Sequence, residues 1–313
     1  MGRIGRQISS SQIIILGFAA AILIGSLLLT LPWATRDGQG APFSDALFTA
    51  TSAVCVTGLV VRDTASYWSG FGQGVILALI QIGGMGVITV AVALFVCSGR
   101  RISLKQRSTM QEAISAPKVG GIVRLTGFIV KMTVLFELLG AAALASVFCR
   151  RFGFGQGLWY ALFHSVSAFC NAGFDLMGQS VPFSSLTGFA ADPVVNVTIM
   201  ALIVIGGIGF MTWDDVKTNR LHLRRYRMQS KVVLSATAAL IILPAIYFFL
   251  LEFDSVPMRE RIWLALFQSV TPRTAGFNTA DLTALSEDGL ALTILLMLVG
   301  GSPGSTAGGM KTT

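Results

Sequence analysis

The residues with the most chemical potential lie in "LVGGSPGSTAGGMKTT", positions 298–313. Gly304 and Gly309, followed by Lys311 and Thr312, nearly reproduce the phosphate-binding pattern G-x-x-x-x-G-K-[ST]. Met310 separates Gly309 from Lys311, so the lysine misses the position that reaches a phosphate. The phosphate reading fails, and so many small residues in a row need another purpose. Metal and enzyme chemistry are equally poorly supplied. The two histidines, His164 and His222, are far apart, and Cys55, Cys97, Cys149 and Cys170 show no C-x-x-C spacing. Packing is the expected role of these cysteines. Glu137 sits inside an apolar run, where an acid is a functional candidate by default, with Lys131 one to two turns away as a structural partner. An intramembrane enzyme would have to be built from Glu137 and His164 alone, which is poor material.

The elements that must position these residues are membrane helices. The chain has 313 residues, 53% hydrophobic and 12% charged, against about 25% charged in soluble domains. Mean hydropathy is +0.73. Apolar runs cover 13–31, 75–97, 125–148, 194–211, 232–251 and 290–299 onward. Several approach the roughly 20 residues that cross a bilayer as helix. The first run has no long basic segment before it and no small-residue cleavage site after it, so it reads as a retained span.

Net charge is +8, and 15 of the 23 bases fall in three segments: Arg3 and Arg6, the stretch Arg100 to Lys131, and the stretch Lys217 to Lys231. The positive-inside bias makes these segments, and the N-terminus, cytoplasmic. That bias explains the basic runs without nucleic-acid binding. The opposite face carries more acids than bases. Either it is simply solvated, or it concentrates cations at a pore mouth.

Three segments resemble one another: "DALFTATSAVCVTGLVVRD" (45–63), "YALFHSVSAFCNAGFDL" (160–176) and "LALFQSVTPRTAGFNT" (264–279). Each contains A-L-F and, 11 or 12 residues after that alanine, a glycine followed by a large apolar residue: Gly58-Leu59, Gly173-Phe174, Gly276-Phe277. A glycine-rich element follows each: "QIGGMGVITV" (81–90), "VIGGIGFMTW" (204–213) and the 298–313 stretch. Each unit reads as a span, a short re-entrant half-helix and a second span. Glycine at the end of the half-helix lets the backbone turn and aim its carbonyls. Irregular backbone at membrane depth is tolerated where it is buried or lines a watery cavity. A ring of such carbonyls can replace the hydration shell of K⁺. The alternative is a set of ordinary helix C-caps; three copies in register favour the carbonyl ring.

These repeats, with "TATSAVCVTGLVV", "FHSVSAFCNAGF", "TPRTAGFNT" and "GGSPGSTAGGMKTT", resemble the Trk/Ktr/HKT superfamily of potassium transporters. The similarity is greatest to the KtrB-type membrane subunit, because the first unit begins near the N-terminus. The resemblance implies an all-α polytopic membrane protein with helix–pore-loop–helix units around a pseudo-fourfold pore. Three of four such units are read here: 1–98, 125–213 and 231–313, joined by cytoplasmic loops 99–124 and 214–230. A fourth wall is expected to come from another polypeptide stretch. The implied activity is K⁺ uptake, with Na⁺ as coupling or stimulating ion and no covalently bound cofactor. The implied partners are a second copy of the chain and a cytosolic nucleotide-binding RCK ring. Carried over, the filter positions are Val56, Thr57 and Gly58; Asn171, Ala172 and Gly173; Thr274, Ala275 and Gly276. The implied gate loop holds Gly300, Gly301, Ser302, Gly304, Ser305, Thr306, Gly308 and Gly309.

Individual side chains carry further expectations. Thr57 and Thr274 either add oxygens or brace their turns. Asn171 caps its half-helix or projects into the mouth. Arg273, so close to a cation path, is expected to turn away toward Glu287 or Asp281. Asp63 and Asp175 either supply mouth charge or are solvated. Gly83, Gly84, Gly86, Gly206, Gly207 and Gly209 are expected to serve helix packing.

Overall fold

The computed structural model describes residues 9–86, 89–90, 108–109, 111–112, 121–220 and 222–313. Arg3, Arg6, Arg100, Arg101, Lys105, Arg107, Lys118 and Cys97 lie outside the described residues.

The first helix, α1 (Ser10–Leu29), opens on a capping box: the Ser9 hydroxyl accepts from the Gln12 N–H, and the Gln12 side chain accepts from the Ser9 N–H. It is apolar all round. Ile15, Leu16, Leu23, Ile24 and Leu27 are exposed, as a lipid-facing surface requires. A short helix, α2 (Phe43–Val54), follows, then α3 (Gly70–Met85). The same order recurs with α4 (Ile122–Phe152), short α5 (Phe154–Phe169), and α6 (Pro193–Gly207). Asp192 caps α6 by accepting from the N–H groups of Val194 and Val195. A bend of 96° separates α6 from α7 (Phe210–Asn219). The third unit is α8 (Met228–Tyr247), α9 (Met258–Val270) and α10 (Glu287–Leu298). A single π turn, Phe248–Glu252, extends α8 just after Pro244. Proline removes a ladder hydrogen bond, and the widened turn absorbs the mismatch.

Among the described residues, three helices are long and apolar enough to cross a membrane, or four if the bent pair α6–α7 is one broken span. The chain is therefore a multi-pass membrane protein. The core lies where the short helices meet. From Tyr160 to Phe169, α5 is buried at every position except Leu162, whereas α1, α4, α8 and α10 keep large exposed apolar faces.

Candidate functional site

Each short helix ends in a turn of unusual backbone. Val56, Asn171 and Thr274 all have positive φ, at 56°, 56° and 67°. So do the glycines two residues later: Gly58 at 74°, Gly173 at 70° and Gly276 at 83°. The residues between, Thr57, Ala172 and Ala275, do not. Left-handed residues flanking an ordinary one reverse the usual alternation of carbonyls and let consecutive C=O groups face the same way. Asparagine tolerates this conformation, and glycine has no Cβ to oppose it. Valine and threonine are β-branched, so Val56 and Thr274 are true outliers and mark stored strain.

The turns share supports. Thr57 N–H donates to Ser52 O at 2.9 Å, Ala172 N–H to Ser167 O at 2.8 Å and Ala275 N–H to Thr271 O at 3.0 Å. The Ser167 hydroxyl holds Phe174 O at 2.7 Å, and the Thr271 hydroxyl holds Phe277 O at 2.5 Å. The third half-helix ends earlier relative to its glycine: Thr271 still has helical φ −63° and ψ −36°, but Pro272 has no N–H with which to continue the ladder.

The turns are also neighbours. A Cβ on Gly58 would lie 2.8 Å from Ala172 O, and one on Gly173 would lie 2.5 Å from Ala275 O. The first turn therefore abuts the second, and the second abuts the third. Between the third and first lies a cavity of about 330 Å³ lined by Val56, Thr57, Thr274 and Gly276, reaching down to Gly308 and Gly309.

The 300–309 loop forms the floor of this cavity. Val299 pairs with Met310; Gly300 N–H donates to Met310 O at 2.9 Å and Gly301 N–H to Gly308 O at 3.1 Å. The remaining backbone anchors come from the second unit. Ser302 N–H donates to Gly207 O at 2.9 Å, Thr306 N–H to Gly206 O at 3.2 Å, and Phe210 N–H to Gly304 O at 2.7 Å.

Several sequence expectations take a different form here. Thr57 braces its own turn through Ser52 Oγ at 2.8 Å, while Thr274 Oγ1 is buried with no hydrogen-bond partner among the described residues. Asn171 sends Nδ2 weakly to Phe169 O at 3.4 Å and more closely to Thr306 Oγ1 at 2.9 Å, so its main tie is to the loop. Arg273 does not pair with Glu287 or Asp281. Among the described residues its one side-chain hydrogen bond runs from Nη2 to Thr237 Oγ1 at 3.5 Å, and Nε has none. Asp281 instead caps its own 3₁₀ turn through Thr283, and the break at Pro272 leaves Arg273 beside α8. Gly83 and Gly206 do pack closely, against Val54 and Phe169. Gly209, however, has φ 89° and sits in the bend between α6 and α7, and Gly86, at φ 81°, closes α3.

Glu137 and Lys131 form no ion pair among the described residues. Glu137 is buried, and its Oε1 has no hydrogen-bond partner among the described residues. His164 Nδ1 contacts Tyr160 O at 2.7 Å and its Nε2 accepts from Leu176 N–H at 3.3 Å. Nε2 thus holds the chain after the second turn, while Nδ1 is tied back to the preceding turn of α5.

Asp63 and Asp175 lie in loops that follow the first and second turns, outside the spanning helices. Asp63 is committed to backbone: Oδ1 accepts from Ala65 and Ser66, and Oδ2 from Phe183 N–H at 2.9 Å. Burial, with the charge of Asp63 adding to it, pushes the Asp175 carboxyl up to about 6. A raised folded-state pKa favours the protonated fold. Its stability contribution is complete below the unfolded value near 3.9 and is lost as pH rises through about 6. Asp175→Asn keeps an acceptor for Met177 N–H. It is expected to match the parent at pH 4 and to melt higher at pH 7.5, by at most about 3 kcal/mol. Thermal melts in detergent across that range check this; an equal gain at both ends would refute it.

Comparison with known proteins places this geometry. The TrkH family, described as cation transport protein, matches residues 8–313. The potassium/sodium uptake protein NtpJ of Enterococcus hirae is 42% identical, the alignment covering 99% of this chain and 69% of that protein. The Ktr system potassium uptake protein B of Bacillus subtilis is 39% identical, over 96% of this chain and 67% of that one. Its namesake in Vibrio alginolyticus is 38% identical, over 96% and 66%. The crystal structure of the potassium transporter TrkH from Vibrio parahaemolyticus superposes with a TM-score of 0.68 at 20% identity, covering all of this chain and 61% of that one. That likeness is one of fold. The chain thus spans about two thirds of the length of these relatives.

Proposed function

The chain belongs to the TrkH family of cation transport proteins, and on that premise we propose that it takes up K⁺ through a channel-like path lined by backbone carbonyls. Its relatives are transporters, and it is not an enzyme. The observation that carries the proposal is the threefold recurrence of a left-handed, ordinary, left-handed turn, each copy touching the next. Strain repeated at equivalent positions is selected for what the backbone presents, and here that is carbonyl oxygen. Val56, Thr57 and Gly58, Asn171, Ala172 and Gly173, and Thr274, Ala275 and Gly276 form the filter. One glycine per strand makes the filter short, with few sites. Gly300 to Gly309 form the gate, closing the cavity from below.

The names of relatives extend the proposal. NtpJ is a potassium/sodium uptake protein, which supports Na⁺ as the second ion. The Ktr proteins are components of a system. This supports a cytosolic nucleotide-binding ring of RCK type and a membrane homodimer as partners. The basic segments support a cytoplasmic N-terminus, and with it a cytoplasmic position for that ring at the cell membrane.

A second reading, an assembly subunit that does not conduct, is favoured by the open side between the first and third turns. Reconstitution separates the two. Reconstituted in liposomes together with the polypeptide stretch that completes the fourth wall, the chain is expected to take up Rb⁺, with K⁺ competing and an imposed Na⁺ gradient accelerating uptake. A folded, inserted assembly with all four walls that passes no Rb⁺ or K⁺ would favour the assembly role.

A further inference from the structure

We propose that Thr306 is a positioning residue that latches the 300–309 loop to the base of the second turn, coupling gate position to filter geometry through side-chain hydrogen bonding on that strand alone. The inference rests on the filter and gate reading above. It starts from an asymmetry. The loop belongs in sequence to the third unit, yet only its hairpin bonds are its own. Its docking partners are Gly206, Gly207 and Phe210 of the second unit.

The reason is local. A helix end leaves its last carbonyls without intrahelical donors. The break at Gly209 creates such an end inside the bent α6–α7 pair, and the loop supplies the missing N–H groups through Ser302 and Thr306. The Thr306 side chain then uses both of its hydrogen-bonding capacities. Its Oγ1 accepts from Asn171 Nδ2 at 2.9 Å and donates to Phe169 O at 2.9 Å, the carbonyl at the last residue of α5. All of these groups are buried. Asn171 is the left-handed residue of the second turn, so the loop grips the residue whose backbone carries the strain. The other turns have no equivalent. Val56 has no polar side chain, and Thr274 Oγ1 has no hydrogen-bond partner among the described residues. The loop meets the third turn by packing, Gly309 beside Thr274 Cγ2, so its withdrawal breaks a side-chain hydrogen bond at the second turn alone.

The test reads loop release without requiring ion flow. Ser305→Cys, whose Oγ position is buried while the loop is docked, serves as the reporter in a chain whose native cysteines are alanine, with a membrane-impermeant thiol reagent applied to vesicles. Thr306→Val keeps the shape of the side chain and removes the hydroxyl. It is expected to speed labelling about tenfold, since two modest hydrogen bonds hold the loop. Thr306→Ser restores both bonds and should label at the parental speed. Asn171→Gly keeps the left-handed backbone, removes the amide, and should accelerate labelling by a smaller factor. It also serves as the probe if Thr306→Val does not fold. In flux assays Thr306→Val should raise the maximal Rb⁺ rate and weaken K⁺ over Na⁺ preference together. Parental labelling in both Thr306→Val and Asn171→Gly overturns the latch, as does a serine variant that labels as fast as the valine one. The expected labelling pattern with no flux in any variant upholds the latch and removes the transport proposal.

Discussion

Gly173→Ala is expected to abolish K⁺ preference, lowering the K⁺-to-Na⁺ flux ratio by roughly 100-fold, the largest effect of any single methyl group in the molecule. Two costs combine. The backbone at Gly173 has φ 70°, where an L side chain is strained by about 1–2 kcal/mol. The added Cβ would also lie 2.5 Å from Ala275 O and 3.1 Å from Gly276 Cα. These atoms belong to the neighbouring strand of the proposed filter, so the mutation displaces two strands at once. Gly58→Ala meets Ala172 O at 2.8 Å and should follow closely. At Gly276 the nearest atom is Gly173 Cα at 3.3 Å, with no carbonyl in contact. Gly276→Ala, like the larger Gly276→Ser, should therefore weaken preference by only about tenfold, through backbone strain. Competition of Na⁺ and K⁺ against Rb⁺ uptake gives the order directly. Equal effects at the three glycines would show that contact between strands does not set selectivity, and no effect would remove the filter assignment.

The glycine turns were legible in the sequence because glycine and asparagine have specific backbone capacities, and three aligned copies multiply a weak signal. Val56 and Thr274 were visible only by alignment. Their own propensities argue against positive φ, and tertiary support overrides them. The early end of α9 follows from Pro272, a local rule. The seat of the 300–309 loop does not follow from anything local. Its anchors at Gly206, Gly207 and Phe210 are some 95 residues away in the chain, and G-G-x-G patterns in Gly83 to Gly86 and Gly206 to Gly209 read alike as packing. Only the bend distinguishes Gly209. Arg273 failed for a related reason. Charge complementarity nominates Glu287 and Asp281, but which way an arginine leaves a proline-broken helix end is set by packing.

Asp63→Ala is expected to cost roughly 3 kcal/mol of stability, because it leaves several partly buried donors without acceptors. The carboxylate is not a mouth charge in this structure. Oδ1 takes the N–H of Ala65 at 3.1 Å and of Ser66 at 2.8 Å, together with the Ser66 hydroxyl at 2.8 Å. Oδ2 takes Phe183 N–H, 120 positions along the chain, and so ties the loop after the first turn to the loop after the second. Asp63→Asn keeps Oδ1 but turns an amide donor toward Phe183 N–H, so its loss should be smaller than that of alanine yet clear. Gly178 gives an independent handle, since a Cβ there would collide with the Asp63 carboxylate. Gly178→Ala alone should destabilise, and in the Asp63→Ala background it should cost little, because the carboxylate it strikes is gone. That non-additivity in thermal melts marks direct contact; additive losses would place the two residues in separate roles. Asp63 also helps hold the Asp175 carboxyl up. Removing it lowers that pKa, so the fall in stability between pH 4 and 7 should be shallower in Asp63→Ala than in the parent. One carboxylate thus joins two loops through four hydrogen bonds and sets the proton affinity of its neighbour, and both properties must change together when it is removed.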